Sequence, residues 1–157
     1  SRFAEMDVIA SMQPTHATSD MPWARARLGE ERLDGAYAWQ SLQESGAHLA
    51  FGSDFPVEDV DPIEGFHAAV TRQDAENLPE GGWLPQETVS RESALHAFTL
   101  GAAYAAFQEQ QIGSLEPGKK ADFVILSQDI MQVPDEDLLD TQVIATYING
   151  KLVYEAE

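Results

Sequence analysis

The chain is predicted to be an α/β protein, a parallel strand–helix array continued by a β-rich tail. Three observations predict this. First, Leu49-Ala50-Phe51-Gly52-Ser53-Asp54-Phe55-Pro56 is an apolar run that ends abruptly on a carboxylate, and an aromatic and a proline then open a loop. Second, a strand-like run at 8–12 precedes it, separated by a helical pattern. Strand, helix, strand at this spacing is a βαβ unit, whose crossover is right-handed in about 98% of cases. Third, the residues after Gly113 carry strand patterns without intervening helices.

In chain order, the first residues read as a helix end feeding the strand at 8–12. A loop is expected to open at Gln13-Pro14-Thr15-His16 and to stay irregular through Met21-Pro22-Trp23. Leu33, Ala36, Tyr37, Trp39 and Leu42 space an amphipathic helix over 33–45, which Gly46 stops. The Asp54 strand follows. Pro62 starts a helix at 63–71. Residues 72–89 hold Gln73, Asn77, Pro79, Gly81-Gly82 and Pro85 and read as a long excursion; loops of that length are functional or disordered. Ser90 is the N-cap of an alanine-rich helix reaching 107, with Glu92 in its first turn. Residues 122–126 and 143–148 are strands. Asn149-Gly150 is the strongest short hairpin signal, and Lys151-Leu152-Val153-Tyr154 is the returning strand.

The chain has 157 residues, a hydrophobic fraction of 43% and no cysteine. That fraction excludes a disordered chain, and no apolar run approaches the roughly 18 residues of a membrane helix. Without cysteine, disulfides and thiolate metal sites are excluded and the compartment is left open, with a cytoplasmic location as the expectation. Nine basic against 27 acidic residues give a formal charge of −18. This field repels nucleic acid and anionic membrane surfaces, so neither is an expected partner. Small clusters such as Glu58-Asp59-Val60-Asp61 read as solvated surface. The start, Ser1-Arg2-Phe3-Ala4-Glu5, shows neither an initiator Met nor a signal-peptide pattern. Two strand–helix units cannot close a barrel, so the chain is expected to be part of a longer protein.

Asp54 stands where a buried strand stops, and the carboxyl ends of parallel strands are where chemistry collects. Spacing alone leaves two readings open: a catalytic carboxylate, or a helix-capping or loop-bracing one. If Asp54 points inward, strand alternation puts Ala50 and Gly52 on its face. His16 follows a strand by a few residues, so it either lines the same mouth or is an ordinary loop histidine. Trp83 after Gly81-Gly82 is either a lid closing on substrate or an aromatic anchor for the loop. Arg25 and Arg27 could hold a substrate carboxylate; solvent exposure is the simpler expectation. His48 begins the strand that carries Asp54 and falls on the opposite face. His67 and His96 lie on expected helices with structural roles, and Lys119-Lys120 reads as solvated charge.

Five stretches carry a family resemblance. They are Gly52-Ser53-Asp54-Phe55-Pro56-Val57, then Ala68-Ala69-Val70-Thr71-Arg72, then Thr99-Leu100-Gly101-Ala102-Ala103-Tyr104-Ala105. After these come Ile112-Gly113-Ser114-Leu115-Glu116-Pro117-Gly118-Lys119-Lys120-Ala121-Asp122 and Thr146-Tyr147-Ile148-Asn149-Gly150-Lys151-Leu152-Val153-Tyr154. Together and in this order they resemble the amidohydrolase superfamily, and within it the amidohydrolase family 3, or YtcJ-like, branch.

The resemblance implies a (β/α)8 TIM-like barrel and a small β-sandwich domain built from both chain ends. Residues 1–111 would be the last strand–helix units of the barrel, and 112–157 the C-terminal part of the sandwich. It also implies a divalent metal, usually zinc, and a small-molecule substrate hydrolysed at an amide-like C–N or ester bond. Bound zinc lowers the pKa of its water to about 7. A carboxylate beside that water can ligate metal, accept the proton and return it to the leaving group. By order, Asp54 would end the eighth barrel strand as metal ligand and proton shuttle, with 8–12 as the seventh strand. The family's histidine ligands lie on earlier strands, so His16 is a substrate contact, and Trp83 is the other candidate. The family's His-x-His motif, its mid-barrel lysine or acidic ligand and its later histidines are absent, so the isolated chain is expected to be inactive. The alternative is a non-catalytic fragment or interaction module that pairs with another copy or with a missing N-terminal half. A metal-free hydrolase using Asp54 and His16 lacks a Ser or Cys nucleophile in a recognisable elbow.

Overall fold

The computed structural model describes residues 2–157. After a short helix α1 (Arg2–Glu5), strand β1 (Ala10–Met12) pairs in parallel with β2 (Leu49–Phe51), in the register Ala10↔Leu49, Ser11↔Ala50, Met12↔Phe51. All three residues of β2 are buried. That is the condition of a strand covered on both faces, and it explains why its sequence is continuously apolar.

The crossover between these strands differs from the expected loop followed by one helix. Residues Pro14–Leu28 form a 15-residue helix, α2. Its buried face consists of Pro14, Thr15, Ala17, Thr18 and Ala24, small residues that leave no large apolar stripe to read in the sequence. Pro14 sits at the helix start, where its missing N–H costs nothing. Gly29, at φ 81°, ends the helix and donates its N–H to the Arg25 carbonyl. The helix expected over 33–45 is instead a 3₁₀ turn, Glu30–Gly35, and a short α3 (Trp39–Glu44). Between them Tyr37 adopts a left-handed φ of 52°, which no helix continues through.

Helix α4 (Pro62–Thr71) agrees with expectation, and its cap is explicit. The Asp61 carboxylate accepts the Ile63 N–H at 2.8 Å, and Pro62 follows in the first turn. Residues 72–89 contain no α-helix. They are tied down by Trp83 N–H to Arg72 O at 2.8 Å and Val89 N–H to Ala69 O at 3.1 Å. Ser90 caps α5 (Arg91–His96), accepting the Ser93 N–H at 3.2 Å. A π-helical turn, Ala97–Gly101, then leads into α6 (Ala102–Ala105). The small residues here serve close approach: a Cβ on Gly101 would lie 2.3 Å from the Leu49 carbonyl oxygen of β2.

The tail forms an antiparallel sheet in the order β3 (Phe123–Leu126), β4 (Val143–Ile148), β5 (Lys151–Glu155). Asn149 and Gly150 both take positive φ, the two-residue hairpin geometry their identities predict. The segment joining β3 to β4 leaves the sheet. Through a 3₁₀ turn, Asp135–Asp140, it buries Leu138 completely in the core formed by Trp39, Phe51, Phe66, Val89 and Ala94. Arg91 holds this segment, donating to the Ile130 carbonyl at 2.7 Å and pairing with Asp135. Lys119 is a further departure from expectation. It is half-buried, donates to Ser114 Oγ at 2.7 Å and pairs with Glu116 at 3.0 Å. Among the described residues, no helix is long and apolar enough to cross a membrane.

Candidate active site

Because β1 and β2 run in parallel, their carboxyl ends lie side by side, and the segments leaving them meet. β1 leads through Gln13 into the first turn of α2, which carries His16. β2 leads into the loop that carries Asp54. His16 Nε2 lies 3.6 Å from Asp54 Oδ2 and 3.9 Å from Glu58 Oε1. This nitrogen is buried and has no hydrogen-bond partner. The two residues singled out from opposite sides of the crossover are therefore neighbours.

Asp54 does not end the strand itself. β2 stops at Phe51, and Asp54 stands three residues on at a left-handed φ of 59°, its side chain 51% exposed. The alternation expected to align Ala50, Gly52 and Asp54 stops with the strand, because left-handed backbone breaks the period of two. Asp54 instead heads a tight turn in which its carbonyl accepts the Val57 N–H at 2.8 Å.

Four residues of the site were not anticipated. Ser19 Oγ donates to Glu58 Oε1 at 2.6 Å. Asp20 accepts a hydrogen bond from the Tyr37 hydroxyl. Burial first, and then this bond to Asp20, push the Tyr37 pKa far above its ordinary value. His16, Ser19 and Asp20 share one face of α2 by their i, i+3, i+4 spacing. That signal was hidden once the segment read as a loop. Glu58 was expected to be solvated with its acidic neighbours. It is half-buried, whereas residues 54–57 and 59–62 are exposed.

Trp83 sits behind Tyr37. Their ring centroids are 5.8 Å apart, and the Arg72 guanidinium lies 5.3 Å from the Trp83 ring. These are contacts that an anchoring role uses. A Cβ on Gly82 would fall 2.2 Å from the Thr71 carbonyl oxygen, so this glycine permits close approach. Arg72 is fully buried. It donates to the carbonyls of Trp83 and Tyr37, each at 2.8 Å, and lies 4.3 Å over Trp39. Burial lowers its pKa to about 10, against the pull of the Glu87 carboxylate.

The remaining candidates lie apart. His48 is 3.9 Å from Asp7 and packs on Tyr104. His67 is buried and bonds Asn77 Oδ1 at 2.9 Å, and burial lowers its pKa. Arg25 is exposed and pairs with Glu30 at 3.2 Å.

A divalent metal held by protein alone needs about three side-chain ligands. Among the described residues, no three His, Cys, Asp or Glu side chains are grouped to hold a metal ion. The residues of this chain do not by themselves fit a complete metal centre.

A parallel strand pair, its second strand fully buried, with a carboxylate and an imidazole meeting beyond its carboxyl ends defines an α/β protein with a candidate site at those strand ends. The comparisons narrow the class. The profile of the amidohydrolase family matches residues 1–154, and the chain belongs to this family, in its YtcJ-like branch. It is 41% identical to Protein LONG AFTER FAR-RED 3 of Arabidopsis thaliana, across 98% of this chain and 26% of that protein. It is 34% identical to the putative amidohydrolase YtcJ of Bacillus subtilis, across 98% and 29%. It is 31% identical to the N-substituted formamide deformylase of Arthrobacter pascens, across 74% and 21%. Crystal structures of uncharacterised metal-dependent hydrolases from Pyrococcus furiosus and Pyrococcus horikoshii superpose with TM-scores of 0.71 and 0.74 at 36% and 33% identity. They cover 83% and 85% of this chain and 26% and 27% of theirs. The chain thus spans less than a third of the length of these relatives.

Proposed function

We propose that the chain is the C-terminal portion of a metal-dependent amidohydrolase that hydrolyses an amide-like C–N bond, or an ester, in a small molecule. Asp54 is the catalytic carboxylate, taking a proton from the attacking water and returning it to the leaving group. It also offers one ligand to a divalent metal, zinc by family resemblance, whose other ligands lie outside this chain. His16 contacts substrate, and Trp83 supports that wall from behind Tyr37. Residues 1–111 are assigned to the barrel and 112–157 to the composite sandwich, whose β3–β4 connection reaches back to place Leu138 in the core of the first region.

The observation that carries this reading is the 3.6 Å approach of His16 to Asp54 beyond the ends of two parallel strands. The family membership and the name of the formamide deformylase support the bond class. A second reading, a non-catalytic module that associates with itself or with a missing N-terminal half, is supported by the five exposed residues of β5 at the sheet edge.

The test supplies the upstream barrel segment of a family member as a separate chain. Hydrolysis of N-substituted formamides and metal occupancy are then measured on the assembly. Asp54→Asn is expected to cut turnover by about 10²-fold or more and to lower metal occupancy, with assembly mass unchanged. Full turnover and occupancy with Asp54→Asn would remove Asp54 from its role. A metal-free assembly would favour the second reading.

A further inference from the structure

We infer that Glu58 is a positioning residue: through Ser19 it clamps the Asp54 loop to α2 and thereby sets His16 against Asp54. The inference rests on the catalytic reading of Asp54 for its meaning, though not for its test. Residues 53–60 make few hydrogen bonds, and nearly all are internal. Phe55 N–H donates to Ser53 Oγ at 3.3 Å and Val57 N–H to the Asp54 carbonyl at 2.8 Å. Among the described residues, the one hydrogen bond tying this stretch to another element is Ser19 Oγ to Glu58 Oε1, at 2.6 Å. A charged acceptor at this distance makes a strong, directional bond. Without it, Asp54 stands on an exposed left-handed turn with nothing across the mouth to hold it.

The geometry on the helix side explains the consequence for His16. His16 and Ser19 are three residues apart and share one face of α2, so a loop bonded to Ser19 is held beside His16. The same carboxylate oxygen that holds Ser19 lies 3.9 Å from His16 Nε2, and Asp54 Oδ2 lies 3.6 Å from the same nitrogen. Neither distance is a hydrogen bond. The imidazole is therefore placed by its helix and by the clamp beside it, and not by a bond of its own. The inward turn of Glu58, alone between exposed neighbours at 54–57 and 59–62, fits this role and not that of a solvated charge. Asp20, on the same helix face, accepts a hydrogen bond from Tyr37 and adds a second tie to α2.

The test uses the 157-residue chain itself and no turnover, so its outcome is independent of whether Asp54 catalyses. NMR of the four histidine rings is recorded for the native chain, Glu58→Ala, Glu58→Gln and Ser19→Ala, and the through-space signal between the His16 ring and the Asp54 side chain is followed. Glu58→Ala is expected to abolish this signal and move the His16 ring resonances, leaving those of His67 and His96 in place. Glu58→Gln keeps an acceptor for the Ser19 hydroxyl and is expected to retain the signal. Ser19→Ala, at an exposed position that does not threaten the fold, is expected to reproduce the loss. Survival of the signal in Glu58→Ala or Ser19→Ala, or its loss in Glu58→Gln, would overturn the inference.

Discussion

The two ends of this chain use apolar residues in opposite ways. In the α/β region every residue of β2 is buried, and Trp39, Phe51 and Phe66 interlock beneath the helices. In the terminal sheet, Val124, Ile125, Ile148, Leu152, Val153 and Tyr154 are exposed. The first region packs a shared core, with Leu138 reaching in from the β3–β4 connection, while Met6, Phe55, Val57 and Phe107 at its margins stay exposed. The sheet is held by its ladder and presents apolar faces that this chain does not cover, and large exposed apolar patches mark interaction surfaces.

The contrast is broken most directly by paired truncations. Trp39→Ala, at a site with no exposure, is expected to cost about 3–5 kcal/mol by cavity formation. Leu152→Ala, at 47% exposure, is expected to stay within about 0.5 kcal/mol. Urea unfolding of the two variants checks both values. An equal loss in the two would mean that the sheet face is covered in solution.

A smaller effect sharpens the account of the first region. Burial of His67 holds its pKa below the ordinary value of 6.5, while the unfolded chain titrates near that value. In the window between the two, the unfolded state binds more protons, so stability rises with pH there. The contribution of neutral His67 is fully present above the unfolded value and is lost as pH falls through the window. Between about pH 7.5 and 5.5 the native chain is therefore expected to lose more urea resistance than His67→Gln. Equal losses would contradict a buried neutral imidazole at this position.

What was legible in the sequence divides along physical lines. Strand β2, the helix from Pro62 and the Asn149-Gly150 hairpin each carry a local signature, namely a continuous apolar run, a capped and proline-led start, and two residues tolerant of positive φ. Helix α2 is proline-led as well, but it has no side-chain cap, carries Pro22 in its interior, and buries only alanine, threonine and proline. That one misreading hid Ser19 and Asp20, since their alignment with His16 exists only at helical spacing. Asp54 and His16 were legible from their position after strands. Glu58 was not, because nothing local separates the one inward carboxylate from the exposed ones beside it. Its direction is set by Ser19, 39 residues away in sequence.

If, as proposed, this chain carries one corner of a hydrolytic metal centre through Asp54, it cannot complete that centre alone. The most direct test is native mass spectrometry of the purified chain after exposure to zinc and dialysis, reading assembly mass and bound metal together. The 17.2 kDa species is expected to keep no stoichiometric zinc, which should appear only in a heavier assembly containing the upstream barrel. A single zinc retained by the 17.2 kDa monomer would contradict it, because the chain would then complete the centre from its own residues.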